Sequence, residues 1–490
     1  MCLGMFMAIL DIQIVASSLP DIQIALKIPQ DQLSWLQTSY LIAEVIAIPL
    51  TGWLVRLASL RGLFVAATIG FTLASLGCAS SFGLAPLLFF RVIQGFCGGA
   101  LIPVVFTSVF TMFPERSRLL ATTMGGVFAM LAPTIGPVVG GYITETYSWH
   151  WLFLINLGPG IVVAIVAFRF VDAGRPDWSL WRRLDYLSLV LVSVCLASLE
   201  LALKEGPAHH WTGWFVLGLL TASAISGSVV IRRCATHRDA ILDLRCFADR
   251  RFRVSCFYSF MLGMGLYGSV YLLPLYLAFV RQHTPLEIGT IMVVMGAAQL
   301  ISAPFAALAE KRLNRLWLTG LGFALFAAGL IANGFMTIET DAAGLFWPQI
   351  LRGTAVLFCL LPTTTIALER QPPELVASAS GLFNLQRNLG GAIGIALIDT
   401  ILAQRVPAHI AALVKRLQAG DPDAARVVGL PLATFHNVPL GPIDEATRAQ
   451  VAPLVEQAAL VLSFNEAWLV VGGLFAVSLL ALPLLRRDGR

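Results

Sequence analysis

Charged residues are scarce in this sequence. Of its 490 residues only 12% are Asp, Glu, Lys or Arg, 57% are hydrophobic, and the mean hydropathy is +0.80. A soluble domain carries roughly 25% charged residues, so a protein whose whole surface faces water is excluded. A bilayer core of about 30 Å needs about 20 apolar residues per helix. The apolar runs are long rather than short and alternating, which excludes a transmembrane barrel and predicts an all-α integral membrane protein.

Several chemical signatures are also missing. The eight cysteines have neither metal-ligand nor paired spacing, so we expect free thiols, no metal site and no cofactor. There is no GxxxxGK[ST] loop, which argues against ATP as the energy source. No nucleophile–base pair or soluble catalytic domain supports the alternative of a membrane-embedded enzyme or sensor. The net charge of +5 is spread over short loops, which argues against a nucleic-acid partner.

The apolar runs predict fourteen spans. They lie near residues 1–20, 32–55, 62–81, 85–112, 120–144, 151–171, 184–203, 212–231, 254–280, 286–309, 316–337, 343–368, 375–402 and 464–485. We divide them into an N-terminal six-helix bundle (1–171), two linker helices with a basic connector (172–253) and a C-terminal six-helix bundle (254–490). Because the first run starts at residue 1 with no basic segment before it, we expect the natural chain to begin upstream.

The loop charges predict the orientation. With both termini in the cytoplasm, the inner loops contain most of the Lys and Arg residues, as the positive-inside rule requires. These are Arg56, Arg61, Arg116, Arg118, Arg169, Arg175, Arg182, Arg183, the stretch 232–253, Lys311, Arg312, Arg315, Arg370 and the pair 486–487. The stretch 232–253 is interpreted as a connector held near anionic lipid heads.

An outer loop is predicted at residues 403–463. Within it Ile410, Leu413, Val414 and Leu417 fall on one helical face, which indicates an amphipathic helix lying on the outer leaflet. A docking surface for a periplasmic partner is the alternative.

An internal repeat relates the two predicted bundles. RVIQGFCGGALIP (91–103) aligns with QILRGTAVLFCLLP (349–362), and GGVFAM (125–130) with SGLFNL (380–385). The offsets are 258 and 255 residues, which differ by three. Duplicated bundles of this kind build many secondary transporters, with the substrate site between the halves.

Four charged residues are assigned to the bilayer centre, namely Asp11, Glu44, Arg91 and Arg352. A charge at the bilayer centre costs about 2.5–3.5 kcal/mol even on the lenient insertion scale. We expect Asp11 or Glu44 to carry protons with Arg91 as the partner; a permanent ion pair that braces the helices is the alternative.

Other polar residues of the spans receive weaker assignments. Gln94, Gln299, Gln349 and Arg352 either line a substrate cavity or pack between the halves, and no role is assigned to Arg387. The fifth span is dense in glycine and proline, at Gly125, Pro133, Gly136, Pro137, Gly140 and Gly141. Such a helix can kink and pack closely where two halves must seal.

These motifs together resemble the major facilitator superfamily, in its fourteen-span drug:proton antiporter branch of the EmrB/QacA type. The similar segments are LDIQIVASSLP (10–20), RVIQG (91–95), APTIGPVVGG (132–141), WHWLFLIN (149–156), LPTTTIAL (361–368) and PPE (372–374). The resemblance implies two six-helix bundles plus two linker spans, a proton-coupling role for Arg91 and an antiporter motif in span five. It also implies the cell inner membrane and, in Gram-negative relatives, a periplasmic adaptor protein and an outer-membrane channel.

Three departures from that branch stand out. The loop GWLVRLASLRG (52–62) lacks the aspartate of the superfamily's gating motif, Gln13 and Ala16 replace a threonine and an asparagine, and Glu44 is an additional acid.

The hypothesis from the whole sequence is a proton-coupled antiporter that exports small amphipathic drugs or toxic compounds across the lipid bilayer. A dedicated exporter of one endogenous metabolite, lipid or siderophore is the alternative.

Overall fold

The computed structural model describes residues 1–27, 30–171, 176–183, 185–236, 241–431 and 445–485. Throughout these ranges the regular structure is helical, without a strand. The first nine helices are α1 (Cys2–Ser17), α2 (Leu19–Leu26), α3 (Gln30–Leu33), α4 (Trp35–Ala58), α5 (Leu60–Ala79), α6 (Leu84–Met112), α7 (Glu115–Thr146), α8 (Trp151–Leu154) and α9 (Leu157–Phe170). The others are α10 (Tyr186–Glu205), α11 (Trp214–Thr236), α12 (Arg250–Phe279), α13 (Pro285–Arg312), α14 (Arg315–Ala332), α15 (Ala342–Leu368), α16 (Val376–Gln418), α17 (Pro422–Val428) and α18 (Glu445–Ser478).

The number of spans differs from the prediction of fourteen. Within the described ranges, twelve helices are long and apolar enough to cross a membrane, and the bent α7 makes thirteen. The helix of the first predicted span, α1, has 16 residues and is therefore only ~24 Å long, which is short of a ~30 Å hydrocarbon core. The all-helical membrane architecture is confirmed, whereas the count of fourteen is not.

The long helices pack in two groups. In the first, α4 packs on α6, α1 on α7 and α5 on both α6 and α9; in the second, α12 packs on α16, and α15 on α13 and α14. Two pairs of helices make the most extensive contacts between the groups, α7 with α13 and α4 with α16. We call the α4–α16 contact the seam. The backbones approach closely there, because a Cβ atom on Gly52 of α4 would lie 2.7 Å from the Cα atom of Ser378 of α16.

Helices α10 and α11 form a hairpin that packs on the seam. Helix α10 contacts α4 and α16 as well as α11. The ammonium group of Lys204 lies 4.5 Å from the ring centroid of Trp35 in α4, and the indole of Trp211, in the turn of the hairpin, donates a 2.9 Å hydrogen bond to Thr400 in α16. The hairpin therefore touches both groups of helices.

The predicted interfacial helix of the outer segment is wrong. Helix α16 continues without a break from the span to Gln418, and α18 already begins at Glu445. Leu413 and Leu417 are buried against α17 and α18, together with Ala424, Ala425, Val428, Val455, Ala458 and Ala459. Leu413 and Leu417 of the apolar stripe therefore cover other helices of this chain rather than lipid, whereas Val414 is exposed. Residues 432–444 of the segment lie outside the described residues.

The basic stretch 232–253 is partly packed rather than wholly peripheral. Ile241, Leu242 and Cys246 belong to the main hydrophobic core, and the Cys246 thiol lies 3.9 Å from the carbonyl oxygen of Leu375. Residues 237–240, Arg175 and the pair 486–487, which also served to predict the orientation, lie outside the described residues.

Candidate functional site

A buried ion pair lies at the centre of the first group of helices. Arg91 of α6 donates to the carboxylate of Asp11 in α1, and both side chains are completely buried. The other carboxylate oxygen of Asp11, Oδ1, accepts 2.9 Å hydrogen bonds from Gln94 of α6 and from Asn156, just before α9. A buried carboxylate needs both a counter-charge and hydrogen bonds to be tolerated, and this one has both.

Further contacts hold the side chains of Arg91 and Gln94 in place. The Oε1 atom of Gln94 accepts a 2.8 Å bond from Arg91, and its Nε2 atom donates to Ser75 of α5 at 2.8 Å. Arg91 also donates from Nε to the backbone carbonyl of Leu36 at 3.1 Å. Its guanidinium carbon lies 4.3 Å from the ring centroid of Tyr40, within range of a cation–π interaction. Helices α1, α4, α5 and α6 thus all contribute to the position of one acid.

Glycine residues of α6 make this arrangement possible. A Cβ atom on Gly95 would lie 2.3 Å from the carbonyl oxygen of Tyr40, and one on Gly99 would lie 2.5 Å from that of Glu44. Real side chains do not approach backbone this closely, so α4 and α6 can meet only through glycine. This contact brings the ring of Tyr40 beneath Arg91.

Glu44 does not share the ion pair of Asp11. It is 3% exposed, and its carboxylate interacts with Asn388 of α16 across the seam. The charged groups that act on it are Arg91, Arg387 of α16 and Glu200 of α10. The two acids predicted for proton coupling therefore occupy different places, Asp11 inside one group of helices and Glu44 between the two groups.

The predicted polar residues of the second group have few partners. Gln299, Gln349 and Arg352 are almost fully buried. Among the described residues, no group forms a hydrogen bond with the amide atoms of either glutamine or with Nε and Nη2 of Arg352. The guanidinium of Arg352 instead lies 4.9 Å from the ring centroid of Trp468. The structure does not bring these residues together with Asp11, whereas it does bring Gln94 there.

The glycine- and proline-rich helix α7 forms the other junction between the groups. It bends by 46° between Pro133 and Ile135. A Cβ atom on Gly136 would lie 2.3 Å from that of Gln13 in α1, and one on Gly289 of α13 would lie 2.5 Å from a methyl carbon of Val138. At its end, the Gly140 carbonyl accepts a bond from Thr144. The bent helix therefore packs tightly on both groups.

The structure adds residues that the sequence did not single out. Asn156 and Ser75 complete the shell around Asp11 and Gln94, and Glu200 and Asn388 lie near Glu44. Asn156 ends the segment WHWLFLIN, and Glu200 is an acid inside a predicted linker span. Both positions could therefore have been listed as candidate site residues from the sequence. Throughout the described ranges, no group of three or more His, Cys, Asp or Glu side chains is placed to hold a metal ion.

Comparison with known proteins identifies the type of molecule. The family model described as Major Facilitator Superfamily matches residues 1–395. The chain is 40% identical to the "Colistin resistance protein EmrB" of Acinetobacter baumannii, over 84% of this chain and 80% of that protein. It is 31% identical to the "Multidrug export protein EmrB" of Escherichia coli K12, over 97% and 92%. The "Fatty acid resistance protein FarB" of Neisseria gonorrhoeae is 28% identical over 97% and 92%.

Solved structures agree on the fold. The human organic anion transporter MFSD10 superposes with a TM-score of 0.60 at 14% identity, covering 99% of this chain and 97% of that one. The proton:xylose symporter XylE gives 0.59 at 12% identity, covering 98% and 93%. At such low identity the likeness concerns the fold alone.

Proposed function

The chain belongs to the Major Facilitator Superfamily, and we propose that it is a proton-coupled antiporter that exports amphipathic or hydrophobic compounds across the inner membrane. The family and its fold are those of transporters. The observation that carries the proton-coupled part is the fully buried pair of Asp11 and Arg91. Arg91 cannot give up its proton under physiological conditions, so Asp11 is the member of the pair that exchanges one.

The proposed cycle depends on the partners of Asp11. While ionised, its carboxylate is held by Arg91, Gln94 and Asn156, which lie on α6 and just before α9. Protonation removes the charge that attracts Arg91, so α1 and α6 are released from each other. The two groups of helices then rearrange about the seam and the α7–α13 junction. When the site faces the cytoplasm, Asp11 loses the proton and the ion pair forms again.

The proton gradient supplies enough free energy for export. One proton that moves through ~100 mV and about one pH unit releases roughly 3.7 kcal/mol, which supports a gradient of several hundred-fold for an uncharged substrate. The names of the relatives include colistin and fatty acids, both amphipathic, and this supports amphipathic compounds as the substrate class. A relative named for one class of compound, such as fatty acids, also favours the alternative of a dedicated exporter.

A periplasmic adaptor protein and an outer-membrane channel are proposed as partners. The ends of α16 and α18, with α17, project beyond the spans and form a small core of their own. We place both termini in the cytoplasm, so that this projection lies on the outer side. Its exposed apolar residues include Val414, Val427 and Leu454. Their replacement by glutamate is expected to prevent copurification of the adaptor without loss of the folded transporter; retained copurification would contradict this contact.

The test of the antiport is dye efflux from energised cells. Cells that express the wild type, Asp11→Asn or Asp423→Asn are loaded with an amphipathic dye, with and without a protonophore. The control residue Asp423 is 74% exposed and lies 3.4 Å from Arg426. We expect the protonophore to abolish wild-type efflux, Asp11→Asn to be inactive at normal expression, and Asp423→Asn to match the wild type. Efflux by Asp11→Asn at the wild-type rate would contradict the proposal.

A further inference from the structure

The linker hairpin brings a second acid to the seam. Lys204 of α10 lies against Trp35 of α4, and Glu200 is four residues before Lys204, so both side chains lie on the same face of α10. Because α4 and α10 run antiparallel at this contact, Glu200 lies one turn further along α4 from Trp35, and Glu44 about one turn beyond that. The carboxylates of Glu44 and Glu200 are close enough to repel each other.

The charges at this place do not balance. Arg387 of α16 is the base that faces the seam, and it is 2% exposed. It donates to Asn384, while its Nε and Nη1 atoms have no hydrogen-bond partner among the described residues. One arginine can neutralise one of the two carboxylates, and Glu44 also interacts with Asn388. The Oε2 atom of Glu200 is buried without a hydrogen-bond partner in the described part of the chain.

A buried negative charge in excess must be neutralised. Its penalty in a low-dielectric interior is large unless a proton or another cation accompanies it. The rings of Tyr267 on α12 and Tyr40 on α4 lie close enough to Glu44 to interact with its charge, so the surroundings suit an organic cation better than a small metal ion. Aromatic rings beside carboxylates are the surroundings in which ammonium groups are bound.

We propose that Glu44 and Glu200 form a subsite for the monovalent cationic group of an amphipathic substrate, at the seam between α4, α10 and α16. This proposal rests on the export function proposed above and specifies one class of its substrates. The linker hairpin is then part of the substrate site and not only a connection between the two groups of helices. Arg387 neutralises one carboxylate, and the substrate neutralises the other.

Protons compete with the substrate for the same charge. The titratable and charged groups that act on Glu44 are Glu200 from α10, Arg91 from α6 and Arg387 from α16, with Tyr267 from α12 and Tyr40 on α4 itself nearby. Of these, Glu200 is the group whose loss of a proton adds a second negative charge. Cation binding should therefore weaken when the pH is lowered, because a protonated pair has no charge left to neutralise.

The experiment is equilibrium binding of tetraphenylphosphonium, a permanently charged amphipathic monovalent cation. The full-length protein is purified in lipid nanodiscs, and the dissociation constant is measured by calorimetry at pH 8 and pH 5.5. The variants are Glu44→Gln, Glu200→Gln and Glu200→Asp. The matched control is Glu205→Gln on the same helix, where the acid pairs with Lys204 at 3.4 Å and is five residues from Glu200.

The expected results separate the subsite from general damage. Glu44→Gln and Glu200→Gln should each weaken binding by at least about tenfold, Glu205→Gln by less than about twofold, and Glu200→Asp should recover part of the affinity because it keeps the charge. Size-exclusion and thermal-unfolding profiles like the wild type's show that the variants are folded. Equal binding by Glu200→Gln and the wild type, equal losses in Glu200→Gln and Glu205→Gln, or no binding by the wild type would each overturn the proposal.

The outcome is independent of the proposed proton coupling. Asp11→Asn should still bind tetraphenylphosphonium, and adding Glu200→Gln to it should weaken that binding by at least about tenfold, yet Asp11→Asn should fail in the efflux assay. If Asp11→Asn transports but Glu200→Gln does not bind the cation, the subsite stands and the assignment of Asp11 falls. If Asp11→Asn is inactive while Glu200→Gln binds normally, the antiport stands and the subsite falls.

Discussion

The two halves of the transporter carry the same two residue types at repeat-related positions of α6 and α15, but in opposite order. In α6, Arg91 comes first and Gln94 three residues later; in α15, Gln349 comes first and Arg352 three residues later. In the first half both residues bind Asp11. In the second half, α12 takes the place of α1 and contains no acidic residue. Arg352 packs on Trp468 instead.

This difference separates two uses of buried polarity. A base with a buried acid makes a site that can gain and lose a proton, whereas a base without an acid has a fixed charge. The second half has paired charges at the ends of its helices, as in Arg281 with Asp341 and Arg315 with Glu369. We therefore propose that the proton-exchanging centre lies in the first half, whereas both halves share the close helix packing at Gly95 and Gly353.

The largest effect is expected from Arg91→Met. Asp11 would remain buried without its counter-charge, which should lower the free energy of unfolding by about 3–5 kcal/mol. Denaturant titration in detergent micelles measures this. The double variant Asp11→Asn with Arg91→Met has no charge left to strand, so it should recover most of the loss while remaining unable to couple protons. A double variant as unstable as Arg91→Met would show that the ion pair is not what holds these helices.

The next effect concerns the packing that the halves share. Gly95 and Gly353 correspond in the repeat, and a Cβ atom on them would lie 2.3 Å from the carbonyl oxygen of Tyr40 and 2.2 Å from that of Met295. Alanine at either position should cost about 1–3 kcal/mol through overpacking. Gly473→Ala is the control, because nothing lies within 4 Å of its Cβ position. Different losses at Gly95 and Gly353 would mean that the packing is not shared.

A smaller effect of opposite sign is expected from Arg352→Met. This variant removes a buried charge for which the described residues offer no counter-ion, although it also loses a cation–π contact worth about 2 kcal/mol when desolvated. Since the burial of an unpaired charge costs several kcal/mol, we expect the free energy of unfolding to rise by about 1 kcal/mol. The same titration, run beside Arg91→Met, gives the comparison directly. A loss as large as that of Arg91→Met would abolish the distinction between the halves.

The sequence predicted the spans better than it predicted the connections between them. Asp11, Arg91 and Gln94 could be identified because charged and amide groups inside apolar runs are costly and therefore conspicuous. Their arrangement could not be derived, since the contact of Arg91 with Tyr40 depends on how closely α4 and α6 meet at Gly95. The separate position of Glu44, and the approach of Glu200 from a linker helix, follow from the packing of α10 on the seam.

The prediction of an interfacial helix in the outer segment (403–463) was wrong for a related reason. The periodic apolar face at Leu413 and Leu417 was correct, but periodicity cannot say whether lipid or protein covers such a face. Burial of these residues against α17 and α18 required α16 to continue straight through the predicted end of its span. A helix that continues leaves no local signal at that point, because the residues around 402 suit a helix on either side of the membrane surface.

The smallest effect is expected at the ends of the second half's helices, where Asp341 binds His283 and Arg281 at 3.0 and 2.9 Å. Partial burial opposes ionisation, but these hydrogen bonds outweigh it and lower the pKa of Asp341 to about 2. A lowered carboxyl pKa adds stability above the unfolded-state pKa of about 4, and this stability is lost as the pH falls towards 2. Because Asp341 is 36% exposed, solvent screening should limit it to less than about 1 kcal/mol.

Asp341→Asn should therefore be slightly less stable than the wild type at pH 7, with a difference that shrinks between pH 4 and pH 2. Denaturant titrations at pH 7, 4 and 2.5 measure this, with Asp423→Asn as the control for an exposed carboxylate. A difference as large at pH 2.5 as at pH 7 would mean that Asp341 acts through the cap of α15, where it accepts a 2.7 Å bond from Ala342, rather than through its charge. A loss at pH 7 as large as that of Arg91→Met would place a strongly coupled ion pair in the second half as well, and the division between a titratable centre and paired helix ends would fail.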